Sequence, residues 1–108
     1  MMKVFLSPAK NMREMPAVPA DVPAAAAPRY LYKTEGLAAS LRDKAPYELE
    51  SILQTSPQIA LRAAALYQDW TNEGGVPAVY AYDGLAYKYL EAETLTAADL
   101  QFAQDHLR

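Results

Sequence analysis

The 108-residue sequence has no cysteine and a single histidine, His106. Without thiols there is no disulfide framework, no thiolate nucleophile and no Cys-ligated zinc or iron–sulfur cluster, and nothing calls for an oxidising compartment. One imidazole excludes His-rich and two-histidine metal motifs and leaves carboxylates as the remaining metal donors. No metal site and no cofactor are expected. Long hydrophobic runs are also missing. The opening MMKVFLSPAK offers only Val4-Phe5-Leu6, too short for the apolar region of a signal peptide, and no stretch approaches the length that spans a bilayer. A cytoplasmic protein without membrane contact is expected.

Hydrophobic residues make up 52% of the chain and charged residues 21%. That composition and length fit one domain, residues 1–108 as a single unit, of radius about 13 Å. The net charge of −3 hides an asymmetry. Residues 1–33 carry Lys3, Lys10, Arg13, Arg29 and Lys33 against Glu14 and Asp21, a local +3, and the rest sums to −6. An anionic partner would therefore be held by the N-terminal arm.

The pattern of elements points to an α/β chain with short strands and several helices. Lys3 to Ser7, with Val4 and Phe5, reads as a strand stopped by Pro8. Residues 11–32 hold Pro16, Pro19, Pro23, Pro28 and the run Ala24 to Ala27, which forbids a continuous helix and predicts an extended Ala/Pro-rich loop. Thr34 is placed to cap a helix to about Lys44 with Leu37 and Leu41 inward, and Pro46 opens another to Gln54 with Leu49, Ile52 and Leu53 on one face. Ser56-Pro57 starts the strongest helix, with Ile59, Ala63, Leu66 and Trp70 as its apolar stripe and Gly74-Gly75 as its end. Residues 78–82 read as a second strand entered through Pro77. Asp83-Gly84 then suits either a two-residue hairpin or the start of a short helix over Leu85 to Ala92. Thr96 and Asp99 form a capping box for a last helix, with Leu100, Ala103 and Leu107 inward. With no Gly, Asn or Pro to stop it, that helix is expected to run to Arg108, as in a fragment of a longer chain.

Chemistry-bearing motifs are few. Ser7-Pro8-Ala9-Lys10 matches S-x-x-K, but Pro8 directly follows the serine after a strand, and the S-D-N and K-T-G partners of that acyl-transfer motif are absent. A strand leading into a turn with a hydroxyl and a lysine can instead present N–H groups, Ser7 and Lys10 to a phosphate. The competing reading is a Ser7-capped turn with a solvated Lys10. His106 lacks companion metal ligands. The carboxylate pairs Glu48/Glu50 and Glu91/Glu93 are spaced by two, which puts neither pair on one helical face. Tyr80, Tyr82, Tyr87 and Tyr89 lie within ten residues and suit either base stacking near basic groups or packing of a half-buried strand.

Taken in order, Lys3-Val4-Phe5-Leu6-Ser7-Pro8-Ala9-Lys10, Tyr82-Asp83-Gly84-Leu85-Ala86-Tyr87 with Leu90 and Ala92, Thr94-Leu95-Thr96, and Phe102 through Arg108 resemble the N-terminal part of the YaaA family of peroxide stress proteins. Ala60 through Trp70 also fits that pattern, so the resemblance covers essentially the whole chain. It implies the N-terminal portion of a longer, family-specific α/β domain, with the remaining C-terminal part of the parent chain as its partner. It favours a strand followed by a short helix at Asp83-Gly84. It further implies a cytosolic bacterial protein that limits damage from hydrogen peroxide by keeping free intracellular iron low. A positively charged cleft, double-stranded DNA as partner through a helix-hairpin-helix-like element, and no assigned catalytic residue complete the expectation.

Carried over by position, Ser7, Pro8, Ala9 and Lys10 match the N-terminal signature, and Tyr82, Gly84 and Tyr87 the central one. Many members have lysine where this chain has Asp83, which removes one positive charge. The anion- or DNA-facing candidates are therefore Ser7, Lys10, Arg13, Tyr82, Gly84 and Tyr87. The alternative is an enzyme or binding protein for a phosphorylated or nucleotide ligand that uses the Ser7–Lys10 turn.

Overall fold

Local side-chain capping sets three of the six helix starts in the computed structural model, which describes residues 1–108. The chain forms two compact units, Ala27–Gly74 and a second built from Met1–Ala26 with Gly75–Arg108. Six helices and one two-stranded antiparallel sheet give an α+β fold. No helix is long and apolar enough to cross a membrane.

In the Ala27–Gly74 unit, helices α1 (Leu31–Arg42) and α2 (Pro46–Leu53) both pack on α3 (Pro57–Gln68). Pro46 occupies the first turn of α2, and the Glu48 carboxylate accepts a 2.7 Å hydrogen bond from the Ala45 N–H, satisfying one of the free donors at the helix start. Ser56 caps α3 by accepting from the Ile59 N–H. Thr34 does not cap α1. The helix begins at Leu31, one turn earlier, and the Thr34 hydroxyl bonds back to the Tyr30 carbonyl.

The stripe expected on α3 is corrected by the structure. Ala60 is fully buried, whereas Ile59 and Leu66 are exposed. The buried side is the narrow one, running through Ala60, Ala63, Ala64 and Tyr67, because small side chains let neighbouring helices approach closely. On α1 the same substitution occurs, with Ala38 buried and Leu37 exposed. Helix α3 also stops at Gln68, short of Gly74-Gly75. There the Arg42 guanidinium donates to the Tyr67 carbonyl at 2.9 Å and the Trp70 carbonyl at 3.3 Å, satisfying acceptors at the helix end.

In the second unit, the strand expected over 78–82 is instead one turn of helix, α4 (Ala78–Ala81), followed by β2 (Tyr82–Asp83). The reason is burial. Tyr80 and Ala81 are both buried, and a strand would send these consecutive residues to opposite faces. Strand β2 pairs antiparallel with β1 (Asn11–Met12), Asn11 opposite Asp83 and Met12 opposite Tyr82. After Gly84 the chain enters helix α5 (Leu85–Leu90), so Asp83-Gly84 does not turn a hairpin. The strand expected over 3–7 is reduced to a single parallel bridge between Val4 and Leu107. Helix α6 (Ala97–His106) opens on the reciprocal Thr96–Asp99 capping box. The hydrogen bonds from the Thr96 N–H and hydroxyl hold the Asp99 carboxyl below its ordinary pKa. Helix α6 ends at His106 rather than continuing, because Leu107 turns extended to pair with Val4.

Candidate functional site

Residues 7–13 are attached to the β2–α5 segment at three successive points. At the first, the Tyr87 hydroxyl on α5 donates a 2.8 Å hydrogen bond to the Ser7 carbonyl. At the second, Ala9 presses against Gly84: a Cβ placed on Gly84 would lie 3.0 Å from the Ala9 Cβ. At the third, the β1–β2 ladder fixes Asn11 and Met12, and the Arg13 N–H continues it to the Ala81 carbonyl at 2.8 Å. Between these anchors Lys10 sits exposed at a bend, its ammonium outside every hydrogen bond and ion pair.

The aromatic candidates support this arrangement from below. Tyr87 is buried, and its ring lies 5.0 Å from that of Tyr82 at a 42° tilt. Burial pushes the Tyr87 phenol above its usual pKa, and the neighbouring Tyr82 adds to the shift, so the hydroxyl stays protonated and able to donate to Ser7. Arg13 is differently employed. Its guanidinium donates to the Tyr80 carbonyl at 3.3 Å and so satisfies a carbonyl of α4. The structure thus brings Ser7, Lys10, Gly84, Tyr82 and Tyr87 to one small region, and it directs Arg13 to the helix behind it.

The Ala9–Gly84 approach was invisible to sequence reasoning. Its signal was only a glycine opening a helix, and glycine is required here for space rather than for its φ of −155°, which any residue adopts. Gly84→Ala is expected to cost about 1–3 kcal/mol, the usual penalty for forcing a methyl into a packed contact. Urea denaturation of Gly84→Ala, Ala9→Gly and the double variant checks this, with the double variant recovering much of the loss.

Elsewhere the molecule offers little chemistry. A shallow depression of about 230 Å³ in the Ala27–Gly74 unit is lined by Glu35, Arg42, Trp70 and Asn72. Arg42 is committed to helix carbonyls, and the Trp70 indole N–H donates to the Asn72 side chain. No group of three or more His, Asp or Glu side chains converges. His106 is engaged by the Met2 carbonyl at 2.7 Å and stacks on Phe102.

Comparison with known proteins places these features in context. A family model described as peroxide stress protein YaaA matches residues 2–108. The chain is 37% identical over 111 residues to a UPF0246 protein of Dechloromonas aromatica (strain RCB), covering 99% of this chain and 42% of the relative. It is 33% identical over 111 residues to a UPF0246 protein of Polynucleobacter necessarius subsp. necessarius (strain STIR1), with the same coverage. A UPF0246 protein of Neisseria gonorrhoeae (strain NCCP11945) is 35% identical over 107 residues, 95% of this chain and 40% of the relative. The chain spans about two-fifths of the length of the curated relatives it matches.

Proposed function

Since this chain belongs to the YaaA family of peroxide stress proteins, we infer that it contributes to survival of hydrogen peroxide in the cytoplasm, by limiting free intracellular iron and by contacting double-stranded DNA. The observation that carries the DNA part is the Ser7–Lys10 segment, which has no turn and bends only at Lys10, fixed by Tyr87 on one side and the β1–β2 ladder on the other, with an exposed, unpartnered Lys10. A cation held on a rigid backbone contacts a phosphate with little ordering cost, and such contacts release counterions from the duplex. The local +3 of residues 1–33 favours the same side of the charge balance. No catalytic residue is assigned, because no nucleophile–base pair or converging carboxylates accompany this segment.

Fluorescence anisotropy with a labelled duplex tests this reading. Binding is expected at about 50 mM salt and is expected to weaken by orders of magnitude toward about 200 mM. Absence of binding at the lower salt would remove DNA from the proposal. A thermal-shift screen against nucleotides tests the small-ligand alternative, since a specific ligand stabilises the folded chain at concentrations above its Kd without any DNA.

A further inference from the structure

The only sulfur in the chain is thioether, and all four methionines, Met1, Met2, Met12 and Met15, fall within the first fifteen residues. All four are exposed, although methionine is among the residues most often buried. Three of them lie outside regular structure, whereas Met12 is built into the β1–β2 ladder opposite Tyr82.

The ladder sets how close these two side chains come. The Arg13 N–H donates to the Ala81 carbonyl, and the Tyr82 N–H is spent on the Ala78 carbonyl of α4. Hydrogen bonding alternates along an antiparallel pair, so Asn11/Asp83 and Arg13/Ala81 are the bonded positions and Met12/Tyr82 is the non-bonded one. There opposed side chains stand closest, on one face, with Cβ atoms about 4.5–5.5 Å apart. The thioether is thereby set beside the Tyr82 ring, an arrangement in which sulfur and aromatic groups attract. Tyr82 in turn packs at 5.0 Å on Tyr87, whose hydroxyl holds the Ser7 carbonyl. Met12 is thus joined to the clamp on residues 7–13, and at 61% exposure it is open to a small oxidant. Hydrogen peroxide, the stress that the family description names, oxidises thioethers that solvent reaches.

We propose that Met12 is an oxidation site for hydrogen peroxide, and that its sulfoxide releases the clamp on residues 7–13. A sulfur lone pair attacks one peroxide oxygen, and the S–O bond forms as the O–O bond breaks. The departing hydroxide takes the proton left on the transferred oxygen and leaves as water. Sulfur gives up two electrons and the peroxide gains them. The product is polar where an apolar group lay beside Tyr82, so it turns toward water, and the Tyr82–Tyr87 pair and the β1–β2 ladder lose that support. Methionine sulfoxide reductases restore the thioether. This assignment does not depend on the DNA reading.

The test is to treat the 108-residue chain with hydrogen peroxide and to follow it by peptide mass spectrometry and hydrogen exchange. A gain of one oxygen is expected at Met12, and exchange at the Arg13 amide is expected to quicken by about tenfold or more. Met15, 94% exposed and outside the ladder, reports the oxidant dose in the same sample. Treatment with the two reductases, one for each sulfoxide epimer, is expected to return the exchange rate to its starting value. Met12→Leu conserves volume and removes the sulfur, so slow exchange at Arg13 is expected to persist while the other three methionines take up oxygen. Three results would each overturn the proposal: Met12 unmodified at a dose that oxidises Met15, a Met12 sulfoxide with exchange at Arg13 unchanged, or a Met12→Leu chain that responds to peroxide as the unmodified chain does. The first two use the unmodified chain, so they decide even if Met12→Leu disturbs folding.

Discussion

Tyr80→Ala is expected to destabilise the unit formed by Met1–Ala26 and Gly75–Arg108 by about 3–5 kcal/mol, the usual range for removing a buried aromatic side chain. Tyr80 is only 1% exposed and is the largest fully buried side chain of that unit. Its backbone carbonyl receives the Arg13 guanidinium, and its hydroxyl points to the Ala92 carbonyl at 3.4 Å. Deleting the ring therefore leaves a cavity between α4 and the turn at Ala92–Thr94, two segments in direct contact. Tyr80→Phe separates packing from hydrogen bonding. The bond is long, so its loss is expected to cost only about 0.5 kcal/mol, at the low end for a neutral pair. Urea denaturation followed by circular dichroism compares the two variants.

The same residue carries a pH signature. Burial, then the nearby charges of Asp21 and Glu93, push the Tyr80 phenol above its ordinary value. A raised folded pKa means that the neutral phenol's contribution is fully present below the unfolded value of about 10, and is lost as pH rises through the folded one. Tyr80→Phe is accordingly expected to lose less stability than the unmodified chain in that alkaline window.

Leu49→Ala is the second large effect, about 2–5 kcal/mol, in the Ala27–Gly74 unit. Leu49 is the one large side chain of α2 that is fully buried, while Ile52 and Leu53 are exposed. The packing of α2 on α3 is the most extensive helix contact of the unit, so a cavity there removes dispersion contacts that no neighbouring large side chain can replace. For a chain of this size the melting temperature is expected to fall by roughly 10 °C or more. Hydrogen exchange over residues 46–68 locates the loss.

Much of the helical framework was legible because its signals are local. Pro46, Ser56-Pro57 and Thr96 with Asp99 act on backbone groups within three residues, and each opens the helix it was read to open. The fold class followed from those starts. What failed was the choice of inward face. Hydrophobicity ranked Ile59, Leu66 and Trp70 above Ala60, yet close helix contacts select the smaller side chain. The strand assigned to 78–82 failed for a related reason: β-favouring Val79 and Tyr80 were outweighed by the need to bury Tyr80 and Ala81 together.

Less of the candidate site was legible. Ser7 and Lys10 were legible as a hydroxyl and a lysine following a strand and Tyr87 as one of a tyrosine cluster, Gly84 only by resemblance to a family pattern, and no spacing rule joins Ser7 to Tyr87 across 80 residues. The bond between them, the Ala9–Gly84 contact and the commitment of Arg13 to the Tyr80 carbonyl all depend on tertiary packing.

The central claim, that the clamped segment presents Lys10 to duplex phosphate, is tested most directly by the salt dependence of DNA binding. The logarithm of affinity is plotted against the logarithm of salt concentration for the unmodified chain, for Lys10→Ala and for Lys44→Ala as a control of equal charge. Loss of one phosphate contact is expected to reduce the slope for Lys10→Ala by about 0.9, with Lys44→Ala close to the unmodified chain. An unchanged slope and affinity for Lys10→Ala would contradict the claim.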